Sequence, residues 1–277
     1  MKIAVFAHYD KNNQIKSYVL YYLQALRQVC DEIIFITTSC LSDIELSKVS
    51  LLCSNVISRE NIGHDFYSYK VGINTISDLS KVEQLILCND SCYGPIFDLK
   101  PMFQQMNVSN DDFWGISALS RPQLHLQSYF LVFNHKVIQS TIFKKFWSQV
   151  KVLNNKDKII IGYEVGLSQC LINAKFSWQT IIPHTDYKLS YWKIVSRKIQ
   201  IYWHERAFPN SRYSWKTLGE PLVRIDKTLS LYDYSLHYYQ LPFIKKSLFL
   251  DNWQTKAQII EVVRHNTNYP VSLFEEI

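Results

Sequence analysis

Hydrophobic positions follow two different spacings along the first two-thirds of the chain. Apolar residues recur at helical spacing in several segments, which predict helices at residues 15–29, 42–52, 65–76, 98–106, 136–150 and 163–173. In residues 15–29, for example, Val19, Leu23 and Leu26 lie on one helix face. Short continuous apolar runs between the helical segments predict buried β-strands at residues 2–7, 33–37, 55–58, 84–88, 113–117, 129–133 and 177–182. Strands that alternate with helices predict an α/β fold with a mainly parallel, Rossmann-type central sheet. Because ligands bind beyond the carboxyl ends of the strands in such a sheet, we expect the chemistry at that edge.

The pattern changes after about residue 187, where basic and aromatic segments of helical spacing follow without a clear alternation of strands. Residues 186–264 carry 13 basic and 7 acidic side chains, a local excess equal to the net charge of +6. We therefore predict a core over residues 1–186 and a mostly helical, basic and aromatic lobe over residues 187–277 that packs on it. Such a surface attracts nucleic acid, anionic lipid headgroups or a phosphorylated substrate.

Composition and missing motifs exclude several classes of protein. The chain has 277 residues, of which 47% are hydrophobic and 19% charged, so it is not disordered, collagen-like or of low complexity. Its six cysteines include no Cys-x-x-Cys pair, which argues against a zinc finger. No apolar stretch reaches about 18 residues and Met1-Lys2 leads directly into the first apolar run, so we expect a cytoplasmic protein without a signal peptide or transmembrane helix. Sequence signatures of serine hydrolases, zinc proteases, P-loops and dinucleotide sites are also missing.

Polar residues follow the third and fourth predicted strands. Asn61, Gly63 and Asp65 precede a predicted helix, where Gly63 permits a turn or a close ligand approach and Asp65 caps the helix. Asn89-Asp90-Ser91 directly follows the strand at residues 84–88, where a carboxylate is placed to hold a divalent cation and, through it, a diphosphate. A capped helix start and an ordinary turn explain the same residues, so both alternatives stay open.

Further candidates lie along the rest of the chain. Asp112 precedes the predicted strand at residues 113–117, and Trp114 lies near its start. Alternation places His125, Gln127 and Tyr129 on one face of another extended segment. Each of these residues also fits a purely structural role in a turn, a strand or the core. The remaining candidates are Glu164 in the first turn of a helix, His184 after the strand at residues 177–182, and the pair Lys245 and Lys246.

Six of these segments, taken in order, resemble the rhamnan synthesis protein F family of bacterial glycosyltransferases. The resemblance is carried by ENIGHDFYSYKVG (60–72), LILCNDSCYGPIFDL (85–99), DFWGI (112–116), HLQSYFLVF (125–133), YEVGLSQ (163–169) and PFIKKSLF (242–249). It implies a GT-A-like nucleotide-sugar-binding core, with the C-terminal lobe on the acceptor or membrane side. It also implies transfer of rhamnose, or of a related hexose such as galactofuranose, from a nucleotide diphosphate to a growing polysaccharide of the O-antigen, capsule or rhamnan type.

The resemblance also implies partners and residue roles. The donor would be a dTDP- or UDP-sugar, the acceptor a lipid-linked glycan, and contact with the inner face of the cell membrane would be peripheral. Glu164 resembles the catalytic base of inverting GT-A enzymes, and Asp112 is the second choice. The nucleotide or donor sugar would contact Asn61, Gly63 and Asp65, and the diphosphate would contact Asn89, Asp90, Ser91, Lys245 and Lys246, whereas Trp114, His125 and Gln127 would line the sugar pockets.

The chain departs from the usual GT-A pattern in one respect, because Asn89-Asp90-Ser91 stands where an Asp-x-Asp metal motif is expected. A divalent cation, Mn²⁺ or Mg²⁺, held by Asp90 and His184 therefore remains an alternative to metal-free binding. A non-catalytic scaffold of a polysaccharide assembly complex is the rival function, and it would need neither Asp90 nor Glu164. A nucleic-acid-binding module is disfavoured, because the basic region contains no recognised motif.

Overall fold

The computed structural model describes residues 1–185, 192, 195–197, 199, 226–249 and 256–274. A seven-stranded sheet in the order β10-β6-β9-β4-β1-β2-β3 forms its centre, and every strand except β9 runs parallel to the others. Its strands are β1 (Lys2–His8), β2 (Glu32–Thr37), β3 (Asn55–Ser58), β4 (Gln84–Asn89), β6 (Phe113–Gly115), β9 (Phe130–Asn134) and β10 (Trp178–Thr180). The predicted α/β fold with a mainly parallel central sheet is confirmed.

Two short antiparallel pairs lie outside the central sheet. β7 (Ala118–Leu119) pairs with β8 (His125–Leu126). β5 (Cys92–Tyr93) pairs with β11 (Ile244–Lys245), which comes from the region where no strand alternation is predicted. The pairing of β5 with β11 joins the C-terminal part of the chain to the turn that follows β4.

Helices cover both faces of the sheet. Alternate residues of β1 belong to two hydrophobic clusters, with Ala4 and Phe6 in one and Ile3, Val5 and Ala7 in the other. The helices are α1 (Ser17–Leu26), α2 (Asp43–Ser50), α3 (His64–Asn74), α4 (Leu99–Ser109), α5 (His135–Gln139), α6 (Thr141–Gln149), α7 (Lys156–Ile159), α8 (Gly166–Asn173), α9 (Tyr232–Tyr239) and α10 (Lys256–Asn266), with short 3₁₀ turns at Leu79–Lys81, Lys246–Phe249 and Val271–Phe274. No helix within these described ranges is long and apolar enough to cross a membrane.

Two helices differ from the sequence prediction. The single helix expected over residues 136–150 is two helices, because Ser140 adopts an extended conformation and its hydroxyl accepts a hydrogen bond from the Phe143 amide at 3.1 Å. The helix expected at residues 163–173 begins earlier, at α7, and passes through a π-helical segment at Ile160–Val165 before α8. Glu164 lies in this wide turn, and such turns are frequent at functional sites.

The C-terminal residues that the structure describes pack onto the sheet. Tyr232, Phe243, Leu248 and Phe274 are buried in the same hydrophobic cluster as Phe6 of β1. The boundary predicted between residues 186 and 187 lies outside the described residues, so the division into two domains stays a prediction.

Candidate functional site

Polar side chains converge where β4 ends, at the carboxyl edge of the sheet. They surround a cavity of about 280 Å³, near the lower end of the roughly 300–1,000 Å³ typical of small-molecule sites. The cavity is lined by His64, Asp65 and Phe66 of α3, by Asn89, Ser91, Gln127, Ser128, Tyr129 and Lys245, and by Lys156, Ile159, Ile160 and Glu164 of the α7 and π-helical segment.

The loop before α3 is held by one guanidinium group. Arg59 donates hydrogen bonds to the carbonyl oxygens of Glu60, Ile62 and His64 at 2.8, 2.5 and 2.8 Å. Gly63 caps α3 with a φ of 73°, a conformation that L residues with a side chain rarely adopt. The loop thereby delivers Asp65, in the first turn of α3, to the cavity.

Asn89, the last residue of β4, holds the side chain of Asp65 in place. The side-chain amide of Asn89 donates to Asp65 Oδ2 at 2.8 Å, while Asn89 Oδ1 accepts hydrogen bonds from the amide and hydroxyl of Ser91 at 3.1 and 2.6 Å. Burial and the negative charge of Asp90 raise the pKa of Asp65 to about 6. This carboxyl group therefore changes charge within reach of physiological pH.

Glu164 has a different environment in the same cavity. Its Oε2 accepts hydrogen bonds from the Ser128 amide at 3.1 Å and from the Ser128 hydroxyl, and its Oε1 lies 3.3 Å from His125 Nε2. Burial alone would raise its pKa, but the hydrogen bonds from His125 and Ser128 outweigh burial and lower the pKa below its usual range. Glu164 is therefore ionised at neutral pH, and the Glu164 carboxylate in turn raises the pKa of His125 despite burial.

A second acidic centre is built from residues far apart in the chain. Asp226 Oδ2 accepts hydrogen bonds from Lys245 Nζ at 2.8 Å and from Gln127 Nε2 at 3.0 Å. Gln127 Oε1 in turn accepts from the hydroxyl of Ser117 at 2.5 Å. Together, the lysine and the hydrogen bonds hold the pKa of Asp226 below its usual range although burial acts in the opposite direction.

Lys246 neutralises the carboxylate at the end of β4. Its ammonium lies 3.3 Å from Asp90 Oδ2 and 4.4 Å from the centre of the Tyr18 ring, and it also donates to the Tyr18 hydroxyl. The Tyr18 hydroxyl donates to the same Asp90 oxygen at 3.4 Å. Beside them, His8 at the end of β1 binds Thr37 Oγ1 through Nδ1 at 3.0 Å, and its buried Nε2 has no partner in the described part of the chain.

Most of the predicted site residues do come together here. Asp65, Asn89, Ser91, Gln127, Glu164 and Lys245 line the cavity. Asp90, Lys246 and His125 are not part of that lining. Asp90 and Lys246 contact each other and Tyr18, and His125 contacts Glu164. Gly63 shapes the loop rather than lining the cavity, and Asn61 is exposed in that loop.

Three predicted residues lie elsewhere. Asp112 precedes β6 and so lies at the amino edge of the sheet, where it is paired with Lys136 at 2.9 Å and accepts a hydrogen bond from the Ser177 amide. Trp114 is 1% exposed and packs in the core with its ring 5.1 Å from Phe103, because alternation on β6 points it into a helix-covered face. It is not a pocket wall.

The described residues show no contact between His184 and Asp90. Its Nε2 is hydrogen-bonded to Ser120 Oγ at 3.0 Å, and its carbonyl accepts from Lys227 Nζ at 3.1 Å. Within the described ranges, no group of three or more His, Cys, Asp or Glu side chains could hold a metal ion. The pair of metal ligands Asp90 and His184 therefore stays a prediction.

Several functional-site residues had no signal in the sequence. Asp226, Tyr18 and His8 reach the site only through the fold, since Asp226 lies 99 positions from Gln127 and Tyr18 lies 228 positions from Lys246. Ser128 lies in the stretch HLQSYF, where the alternation selected His125, Gln127 and Tyr129 but not Ser128.

A family model described as rhamnan synthesis protein F matches residues 33–201. The matched segment contains both cavity carboxylates, Asp65 and Glu164. The chain belongs to the rhamnan synthesis protein F family. Membership confirms the resemblance seen in the motifs and places the chain in a family of polysaccharide synthesis.

Two curated relatives match part of this family member. The uncharacterized protein y4gN of Sinorhizobium fredii is 27% identical over 159 residues, which cover 56% of this chain and 42% of y4gN. The virulence protein VirA of Vibrio anguillarum is 29% identical over 175 residues, covering 60% of this chain and 54% of VirA. The chain thus spans about half the length of the curated relatives it matches.

Solved structures resemble this family member only distantly. A cytidylyltransferase from Leptospira borgpetersenii aligns with a TM-score of 0.40 and 12% identity, covering 78% of this chain and 90% of that one. A putative nucleotide-diphospho-sugar transferase from Desulfovibrio desulfuricans aligns with a TM-score of 0.36 and 12% identity, covering 81% and 99%. Likenesses this distant identify neither substrate nor reaction.

Proposed function

We propose that this protein is an inverting glycosyltransferase. It transfers rhamnose, or a related hexose such as galactofuranose, from a dTDP- or UDP-sugar to a growing, lipid-linked polysaccharide of the bacterial surface. The observation that carries the proposal is the cavity at the carboxyl edge, where Asp65, Asn89, Glu164 and Lys245 converge. Family membership supports the polysaccharide as product, and the position of the cavity agrees with where α/β sheets bind ligands.

Glu164 is the proposed base. Sugar transfer with inversion needs a carboxylate that accepts the proton of the acceptor hydroxyl as the new glycosidic bond forms. Glu164 is ionised, lines the cavity and is fixed by Ser128 and His125, so it is oriented before substrate arrives. Asp112 is not proposed as the base, because it precedes β6 at the amino edge of the sheet and does not line the cavity at the carboxyl edge.

The donor is proposed to bind between α3 and β4. Asp65, Asn89 and Ser91 offer one carboxylate, one amide and one hydroxyl to the sugar or the nucleotide, and Gln127 extends this polar surface. Asn61 and Gly63 remain proposed donor contacts through the loop that Arg59 holds. Lys245 and Lys246 are paired with the carboxylates of Asp226 and Asp90 at the carboxyl edge. We therefore propose membrane contact for the rest of the basic C-terminal region.

The variant Glu164→Gln distinguishes a glycosyltransferase from a non-catalytic scaffold. The change preserves size and removes the proton acceptor, so sugar transfer to a lipid-linked acceptor is expected to fall about 10²–10⁴-fold while donor binding persists. Donor binding is read from thermal shifts with dTDP, UDP, GDP and CDP, because a ligand at a hundred times its dissociation constant stabilises the folded state by about 2.7 kcal/mol.

The matched control is Glu83→Gln, an exposed glutamate whose side chain is 74% accessible. It should retain both transfer and nucleotide binding. Full transfer by Glu164→Gln would remove the base assignment. If no nucleotide shifts the melting temperature of the wild-type protein, the scaffold function is favoured instead.

A further inference from the structure

β11 and the residue that follows it bring two consecutive lysines, Lys245 and Lys246, to the carboxyl edge. Ile244 pairs with Tyr93, Lys245 pairs with Cys92, and the Lys246 amide donates to the Ser91 carbonyl at 3.0 Å. Because successive side chains of an extended strand point in opposite directions, one lysine reaches Asp226 and the cavity while the other reaches Asp90. Residues distant in sequence thus place two consecutive lysines beside the turn that follows β4.

Both ammonium groups are fixed, and both keep donors to spare. Lys246 is held by Asp90, the Tyr18 ring and the Tyr18 hydroxyl, and its side chain remains 32% exposed. Lys245 is held by Asp226, lies 5.3 Å from the centre of the Tyr129 ring and lines the cavity. An ammonium has three N–H donors. Within the part of the chain that the structure describes, one donor of Lys246 and two of Lys245 have no partner.

A divalent cation fits this arrangement poorly. Asp90, the only carboxylate in Asn89-Asp90-Ser91, already carries the Lys246 ammonium, and one oxygen of Asp65 is taken by the Asn89 amide. Among the described residues, no three His, Cys, Asp or Glu side chains are grouped so that they could hold a metal ion. A metal ion at Asp90 would have to displace the ammonium and lose its favourable contact with the Tyr18 ring.

We propose that Lys245 and Lys246 take the place of a divalent cation and bind the donor diphosphate directly, an inference that rests on the proposed glycosyltransferase function. In transfer, the bond between the anomeric carbon and the diphosphate oxygen breaks and its electron pair stays on that oxygen. The acceptor hydroxyl oxygen bonds to the anomeric carbon, and its proton passes to the base. The nucleoside diphosphate leaves with one more negative charge, which the two ammonium groups stabilise.

Calorimetric titration of the full chain tests this inference without relying on activity. UDP and dTDP are titrated into the wild-type protein in EDTA and again in Mg²⁺ or Mn²⁺. We expect the dissociation constant of the preferred nucleoside diphosphate to change less than about twofold between these conditions. Binding that appears only with the metal would overturn the inference and leave the proposed function standing. No binding of either nucleotide in any condition would overturn both.

Lys246→Gln identifies the group responsible. Because a hydrogen bond to a charged group is worth about 1.5–3 kcal/mol, affinity for the diphosphate is expected to fall roughly tenfold or more, with Lys246→Arg retaining most of it. Lys144→Gln, a change on the exposed surface of α6, is the matched control and should bind as the wild type does. Unchanged affinity in both Lys245→Gln and Lys246→Gln would refute the role of the lysines. The comparison of EDTA with metal needs no variant, so it decides the question even where a substitution impairs folding.

Discussion

At the scale of single residues, the cavity holds two carboxyl groups whose pKa values are shifted in opposite directions. Glu164 accepts hydrogen bonds on both oxygens, which keeps it charged. Among the described residues, Asp65 accepts one hydrogen bond, from Asn89, and burial together with the nearby negative charges of Asp90 and Glu164 disfavours its charged form. A carboxyl group kept in such surroundings costs folding stability, and sites of this kind are concentrated where proteins bind or react.

Asp65→Asn is expected to stabilise the protein at neutral pH. Since the pKa of Asp65 is raised to about 6 by folding, its contribution to stability is fully present below an unfolded pKa of 3.8 and is lost as the pH rises through 6. One pKa unit corresponds to about 1.4 kcal/mol, so after allowing for solvent screening the variant should gain about 1–3 kcal/mol at pH 7.5 and much less at pH 4.5.

Urea unfolding of Asp65→Asn and wild type at those two pH values measures this difference. Glu60→Gln, an exposed neighbour in the same loop, should show no comparable gain at either pH. An equal effect of Asp65→Asn at both pH values would mean that the Asp65 carboxyl does not titrate differently in the folded state.

At the scale of secondary structure, α3 approaches the sheet so closely that one position requires glycine. A Cβ atom on Gly72 would overlap the side chain of Val5 on β1. This close approach lets α3 carry Asp65 toward the end of β4. The motif ENIGHDFYSYKVG therefore combines a site residue near its centre with a packing residue at its end.

Gly72→Ala is expected to destabilise the protein by about 1–3 kcal/mol, because overpacking against Val5 outweighs the helical preference of alanine. Gly162→Ala in the π-helical segment is the control, since nothing lies within 4 Å of its added Cβ. Chemical denaturation of both variants measures the effect. If Gly72→Ala left the free energy of unfolding unchanged, β1 and α3 could move apart without loss of stability.

At the scale of the whole molecule, the C-terminal segment completes the core as well as the site. Phe243 is 1% exposed, with its ring 4.9 Å from Tyr22 and 5.2 Å from Phe130. It immediately precedes β11, which carries Lys245. Folding of the sheet and assembly of the carboxyl edge are thus expected to occur together.

Phe243→Ala should lower the free energy of unfolding by about 3–5 kcal/mol, as burying an aromatic ring contributes that much to a well-packed core. Leu51→Ala, at a position that is 89% exposed, should change it little. The expected denaturation curve is a single transition monitored by tryptophan fluorescence and by circular dichroism. Separate transitions from the two probes would mean that the C-terminal segment unfolds independently.

The sequence by itself determined the class of fold, the family and most of one edge of the site. Local patterns sufficed for these, because apolar periodicity reports burial and because Asp65, Asn89 and Glu164 lie in short motifs at the ends of elements. The same reasoning failed for Asp112 and Trp114, since a linear motif does not say at which edge of the sheet, or on which face of a strand, a side chain will lie.

Tertiary structure alone decided the rest. Asp226, Tyr18, Lys245 and Lys246 meet through contacts between residues 19 to 228 positions apart, and no local spacing encodes such contacts. The charge state of the site has the same origin: Asp65 and Glu164 are both carboxyl groups, and burial and the hydrogen bonds supplied by distant strands shift the pKa of one upward and of the other downward.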